Sequence, residues 1–221
     1  MADSVTRAAA DAIRVQQRAV AASAGSASGG TDPPYASERE LFGAYTHQEI
    51  WDLVHEVIDP AALGRVADAW RANATVVAEA FQAFSDATNR EFAHWSGRSA
   101  DAALRATREF VRTGTEAHDV CRAVQRLMEL NSDAAQAIRA AITPPPQYCA
   151  LEDPAAEAIH GGQRRMDHDM AAATAQADVQ DTMTYVYTPI MPASGDRVPR
   201  FTPPPDGPQI ARPNAGSGGA R

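Results

Sequence analysis

The chain has 221 residues, of which 28 are acidic and 20 basic, for a formal net charge of −8. That balance, with no basic stripe to counter it, argues against nucleic acid as a partner. Hydrophobic residues make up 44% of the chain, but only 6% are aromatic and much of the rest is alanine. Alanine buries little area, so the core is expected to be thin and drawn out along long elements.

Met1 to Ala24 carries Asp3, Asp11 and several arginines, so no apolar stretch of a secretory signal peptide can be drawn through it. No apolar run approaches the roughly 18 residues of a membrane-spanning helix, so no transmembrane segment is expected. Residues 1–45 read as a weakly helical segment followed by a linker. Val5, Ala9, Ile13, Gln16 and Val20 stand at helical spacing, and Ala24 to Pro34 (AGSASGGTDPP) is flexible by composition.

A helix start follows at Thr46. Thr46 and Glu49 have the spacing of a reciprocal cap, with Tyr45 and Ile50 placed as its hydrophobic staple. That helix stops at Asp59-Pro60, which is itself an N-cap followed by proline at the first helical position. Beyond it, Leu63, Ala67, Trp70, Ala74, Val77, Phe81, Phe84 and Thr88 recur at alternating steps of four and three. The rhythm resumes near Ser99 through Ala103, Thr107, Phe110, Gly114, Ala117, Cys121, Val124, Met128, Asn131, Ala135, Ile138 and Ile142.

Helices over 61–94 and 99–142 would be roughly 50 and 65 Å long. Joined by a few residues, they must fold back into an antiparallel hairpin over residues 46–143. The expected seam core is Leu63, Trp70, Val77, Phe81, Phe84, Phe110, Cys121, Val124 and Met128. Trp70, Phe81, Phe84, Phe110 and Met128 are expected to supply most of its buried area. Cys121 falls on that apolar face, where free cysteine acts as a small hydrophobe, so no disulfide with Cys149 is expected.

Pro144-Pro145-Pro146 ends the second long helix. Residues 144–184 then hold a proline-rich break and a further helix from Asp153-Pro154 to about Met183. This helix has a weak point at Gly161-Gly162 and a shallow apolar face of Met166, Met170, Ala173 and Ala177. From Tyr185 to the end, proline, glycine, serine and arginine dominate, and residues 185–221 read as a disordered tail. The fold class expected is therefore all-α: a long, four-helix-bundle-like hairpin with flanking helices and a disordered tail.

Signatures of chemistry are sparse. His160, Asp167, His168 and Asp169 are the nearest approach to a metal cluster, but adjacent His168 and Asp169 point to different faces and no two histidines stand at i, i+4. His118 lies beside the seam. No nucleophile elbow, phosphate loop or zinc-finger spacing occurs. The expectation is a protein that is not an enzyme, with no catalytic, cofactor-binding or metal site.

One motif stands apart. Trp95-Ser96-Gly97 falls at the hairpin turn, within the run W-S-G-R-S-A-D-A-A. Glycine there permits the positive φ of a tight reversal, and the indole is expected to pack across both helix ends. This arrangement resembles the WXG-type helical hairpins and, more closely, the PPE-like proteins of actinobacterial type VII secretion. All 20 basic residues are arginine, in keeping with a GC-rich genome. The resemblance covers residues 46–142 and departs at the N-terminus, where Pro33-Pro34-Tyr35 is the nearest approach to a Pro-Pro-Glu. It implies a secretion substrate or secretion-associated protein that binds a PE-like or WXG-like helical partner through its Ala-rich hairpin. Self-association could replace that partner, and a cytosolic secretion chaperone could assist. The resemblance also implies a secreted or cell-envelope location reached without a signal peptide.

Tyr148 and Glu152 fit that class's Y-x-x-x-D/E export pattern, following the hairpin. Tyr45 to Glu49 fits it too, although capping already accounts for Glu49, and the negative charge at Glu152 also suits a helix N-terminus. The alternative is a cytoplasmic coiled-coil adaptor or scaffold that is never exported.

Overall fold

After a short 3-10 turn (Phe42–Ala44), Thr46 caps the first α-helix among the described residues through the reciprocal cap its spacing predicts. Its hydroxyl accepts the Glu49 N–H at 3.2 Å, and the Glu49 carboxylate accepts the Thr46 N–H at 2.7 Å. The Thr46 N–H first, and then the Thr46 hydroxyl at 2.8 Å from the same carboxylate oxygen, hold the Glu49 carboxyl below its ordinary range. The computed structural model describes residues 30–36 and 38–202. Residues 1–29, with the expected first helix, and residues 203–221 of the expected tail lie outside them.

The capped helix is α1 (His47–Asp52), which continues as a π turn (Leu53–Val57). Asp59 then caps α2 (Pro60–Phe92), accepting the N–H groups of Ala61 and Ala62 at 2.9 and 3.1 Å, with Pro60 in the first helical position. α3 (Arg98–Ala141) returns antiparallel to α2. α4 (Pro154–Thr182) is capped by Asp153 and runs unbroken through Gly161-Gly162, into a π turn (Met183–Tyr187) and α5 (Thr188–Ser194). The fold is all-α: among the described residues the only β feature is an isolated antiparallel bridge between Thr31 and Pro199.

The core sits at the foot of the hairpin rather than along it. Phe42, Ile50 and Val54 arrive from the N-terminal side, Leu130, Ala134, Ile138 and Ile142 from α3, and Val179, Met183, Val186 and Ile190 from the C-terminal helices. Because other helices surround it there, the last third of α3 is buried on nearly every face. Leu127, Leu130 and Ala134, which are off the expected seam, are buried as fully as Ile138. Residues 46–143 and 144–184 thus share one core.

Polar groups tie the same foot together. The Arg139 guanidinium donates from Nη1 to the carbonyls of Val54, His55 and Ile58 at 2.8, 3.1 and 2.8 Å, satisfying a helix end that has run out of its own donors. Asn131, on the expected seam, is buried and donates to the Ser194 hydroxyl at 2.9 Å.

Part of the expected tail is ordered structure. Residues 185–194 complete the second π turn and α5, and Val186 and Ile190 are buried. The Phe42 ring meets Tyr187 edge-on at 5.4 Å. Further on, the Asp32 N–H reaches the Val198 carbonyl and the Arg200 N–H reaches the Gly30 carbonyl, each at 2.9 Å. Met183, Val186 and Ile190 keep helical spacing across this segment, so its apolar face packs although proline, glycine and serine dominate its composition.

Candidate functional site

Beyond the foot, α2 and α3 form, among the described residues, a two-helix arm. Its fully buried positions are small: Ala67 and Ala74 on α2, Ala100 and Gly114 on the outer part of α3. Small side chains let two helices approach closely, and at Gly114 the approach is extreme, with the Phe81 ring lying over its α-carbon. The larger seam residues Leu63, Trp70, Val77 and Phe81 are only half-buried, as is Met128. Phe84 and Phe110 remain exposed on one side, while Cys121 and Val124, nearer the foot, are buried. The aromatic seam residues therefore do not supply most of the core as expected. Two helices cover only one side of each ring, and no other described element covers the remaining sides.

The rings nevertheless find one another. Phe110 lies 5.2 Å from Phe81 and meets Phe84 edge-on at 5.3 Å. Beside Gly114 a cleft of about 210 Å³ opens, lined by Phe81, Gln82, Ser85, Val111 and His118. The outer face of α3 is solvated by an ion cluster in which Arg112 holds both Glu109 and Glu116.

At the tip, Gly97 caps α3 with φ of 93°, the left-handed conformation for which glycine suits the turn. Trp95 does not span both helix ends as expected. Its indole meets only Phe92, edge-on at 5.0 Å and on the same helical arm, and 58% of the residue is exposed. The turn leaves most of Trp95 in solvent.

Tyr148 lies in a strap, residues 143–153, that runs back along α4. At its start His47 Nε2 stands 2.8 Å from the Thr143 carbonyl, a contact that requires the proton on that nitrogen. The Tyr148 hydroxyl donates to Glu157 Oε1 at 2.6 Å, and Glu157 Oε2 accepts the Leu151 N–H at 2.9 Å. The Arg165 guanidinium stands 5.4 Å over the Tyr148 ring, and His168 meets that ring edge-on at 5.5 Å. The Leu151 amide, the Tyr148 hydroxyl and Arg165 together hold the Glu157 carboxyl below its ordinary range. Glu152 is exposed, so the structural partner of Tyr148 is Glu157, nine positions on, and not the acid of the expected pattern. The sequence reading missed Glu157, whose one local signal is its place as an acid in the first turn of α4.

His160, Asp167, His168 and Asp169 do not converge. His168 contacts its neighbour Asp169 at 3.3 Å, and among the described residues no three of His, Cys, Asp and Glu come together to hold a metal ion. Both cysteines are free: Cys121 is buried, which pushes its thiol up, and Cys149 is exposed. A depression of about 720 Å³ at the foot of the arm is lined by His55, Glu56, Asp59, Ser132, Gln136 and Arg139. Of these, Arg139 and Ser132 are already occupied with backbone carbonyls. No helix among the described residues is long and apolar enough to cross a membrane.

Compared with known protein families, with curated proteins and with solved structures, the chain matches none.

Proposed function

We propose that this protein is a PPE-like type VII secretion substrate or secretion-associated protein whose arm binds a partner helical protein. The observation that carries the reading is the open aromatic seam of the arm. Phe84 and Phe110 lie between α2 and α3, yet two helices leave their outer sides in water. A second helical pair laid along the arm would close a four-helix bundle, covering these rings and the neighbouring Val76. The partner expected is a PE-like or WXG-like hairpin.

The glycine-dependent turn at Trp95-Ser96-Gly97 supports the same reading, and exposed Trp95 offers the tip an anchor of its own. Tyr148 supports it less, because its contacts with Glu157 and Arg165 already explain why a tyrosine stands there.

The test is co-expression with a small PE-like or WXG-like hairpin protein, followed by sizing of the purified material. A one-to-one complex that Phe110→Asp abolishes, while the helical content of the variant is unchanged, is the outcome expected. A chain that purifies alone, with its arm in rapid hydrogen exchange, would instead favour a cytoplasmic adaptor whose partner lies elsewhere.

A further inference from the structure

The apolar face of α4 points the wrong way for a core helix. Its inward side, at Gly161, Arg164, His168, Val179 and Thr182, meets the strap and the foot. Its outward side carries Ile159, Met166 and Met170, which are 76%, 54% and 60% exposed. Ala155, Gly162, Ala173 and Ala177 continue the same stripe and are exposed too. Over the 22 residue steps from Ala155 to Ala177 the stripe is about 33 Å long.

Its pattern is symmetric about Met166. Steps of four, three, four, four, three and four residues separate Ala155, Ile159, Gly162, Met166, Met170, Ala173 and Ala177. Laid antiparallel against itself, the stripe sets large side chains against small ones: Ile159 meets Ala173, Met170 meets Gly162, and Met166 meets its own copy on the axis. That is the knob-and-gap alternation a close helix pair needs.

The flanking charges agree. In an antiparallel pair related by a two-fold axis, like flanks meet. Arg165 of each copy then falls two residues, about 3 Å, from the level of Asp169 of the other. On the opposite flank Gln163 stands in the same relation to Asp167. The Arg165 and Asp169 side chains are 64% and 80% exposed, and this contact would draw Arg165 from the mostly buried Glu157 carboxylate it now pairs with at 3.4 Å.

We propose that the outward face of α4 is the surface through which two copies of this chain associate, antiparallel and centred on Met166. The contact is separate from the arm and does not depend on the arm's partner. It is a short, single-helix interface and so a weak one.

Sedimentation equilibrium of the full chain tests it, with the average mass expected to move from 23.5 kDa toward twice that value as concentration rises. Met166→Glu would bring two carboxylates together on the axis. It should abolish the shift without loss of helicity, because Met166 is 54% exposed and lies outside the core cluster. Geometry is read separately by cross-linking in a Cys149→Ser background with a short bis-maleimide. Ile159→Cys chains should link to Ala173→Cys chains when the two are mixed. Neither variant should link to itself, since its own mates lie about 21 Å apart. A mass fixed at one chain across the whole range overturns the proposal, as does linking of Ile159→Cys to itself. Equally contrary would be a monomer in which Met166→Cys resists a thiol reagent, because the stripe would then be covered from within its own chain.

Discussion

The ring of Phe81 lies so squarely over Gly114 that a Cβ there would fall 2.1 Å from its Cγ. No side chain fits without pushing the ring out, so the pair sets how closely α2 and α3 approach midway along the arm. In an exposed helix interior, Gly→Ala gains up to about 1 kcal/mol from helix propensity. Here overpacking, at about 1–3 kcal/mol, should outweigh that gain. Gly114→Ala is expected to lower the melting temperature, and Phe81→Ala in the same chain to restore part of the loss. Gly64→Ala is the control: its new methyl would meet only the Ser132 hydroxyl at 3.7 Å, and the variant should be slightly stabilised.

Arg139 holds three carbonyls at the end of the α1 segment with one nitrogen. Arg139→Met keeps much of the side-chain volume but leaves those carbonyls without their charged donor. The expected loss is on the order of 3 kcal/mol, read from denaturant unfolding. An unchanged midpoint would mean that water replaces the guanidinium without cost.

The strap should respond to acid with a defined sign. Glu157 is held below the ordinary glutamate value of 4.5, so its bonds favour the ionised form and are fully present above that value. They should be lost as the pH falls through the lowered folded value, not between pH 7 and 5. The Leu151 amide, which Glu157 accepts, reports this by hydrogen exchange after correction for the intrinsic rate. Glu157→Gln should weaken protection at neutral pH and remove the acid transition.

The two thiols should differ sharply. Cys149 is exposed and Cys121 buried with its thiol pushed up, so a thiol reagent should modify one cysteine in the native chain and both after unfolding. Rapid modification of both in the native state would show that the inner part of the arm opens readily.

What the sequence made legible was local. Thr46 with Glu49, Asp59 with Pro60 and Asp153 with Pro154 cap helices through neighbours two or three residues away, so spacing alone predicted those boundaries closely. The heptad rhythm likewise predicted α2 and α3 and the glycine turn between them. Failures came where a residue's surroundings depend on distant elements. Phe84 and Phe110 have perfect seam spacing, but among the described residues no third helix covers them. Met166 and Met170 form a face that periodicity alone cannot assign to core or solvent. Val186 and Ile190 join the core because α3 ends beside them. Tyr148 and Glu157 meet only because the strap doubles back along α4.

Immunoblotting culture filtrate and cytosol of the native host most directly tests whether this hairpin is an exported, partner-binding protein. The comparison is wild type, a secretion-ATPase deletion, and a strain carrying Phe110→Asp. The account predicts the chain in the wild-type filtrate and its loss from the filtrate in both altered strains. Protein confined to the cytosol in all three would contradict it.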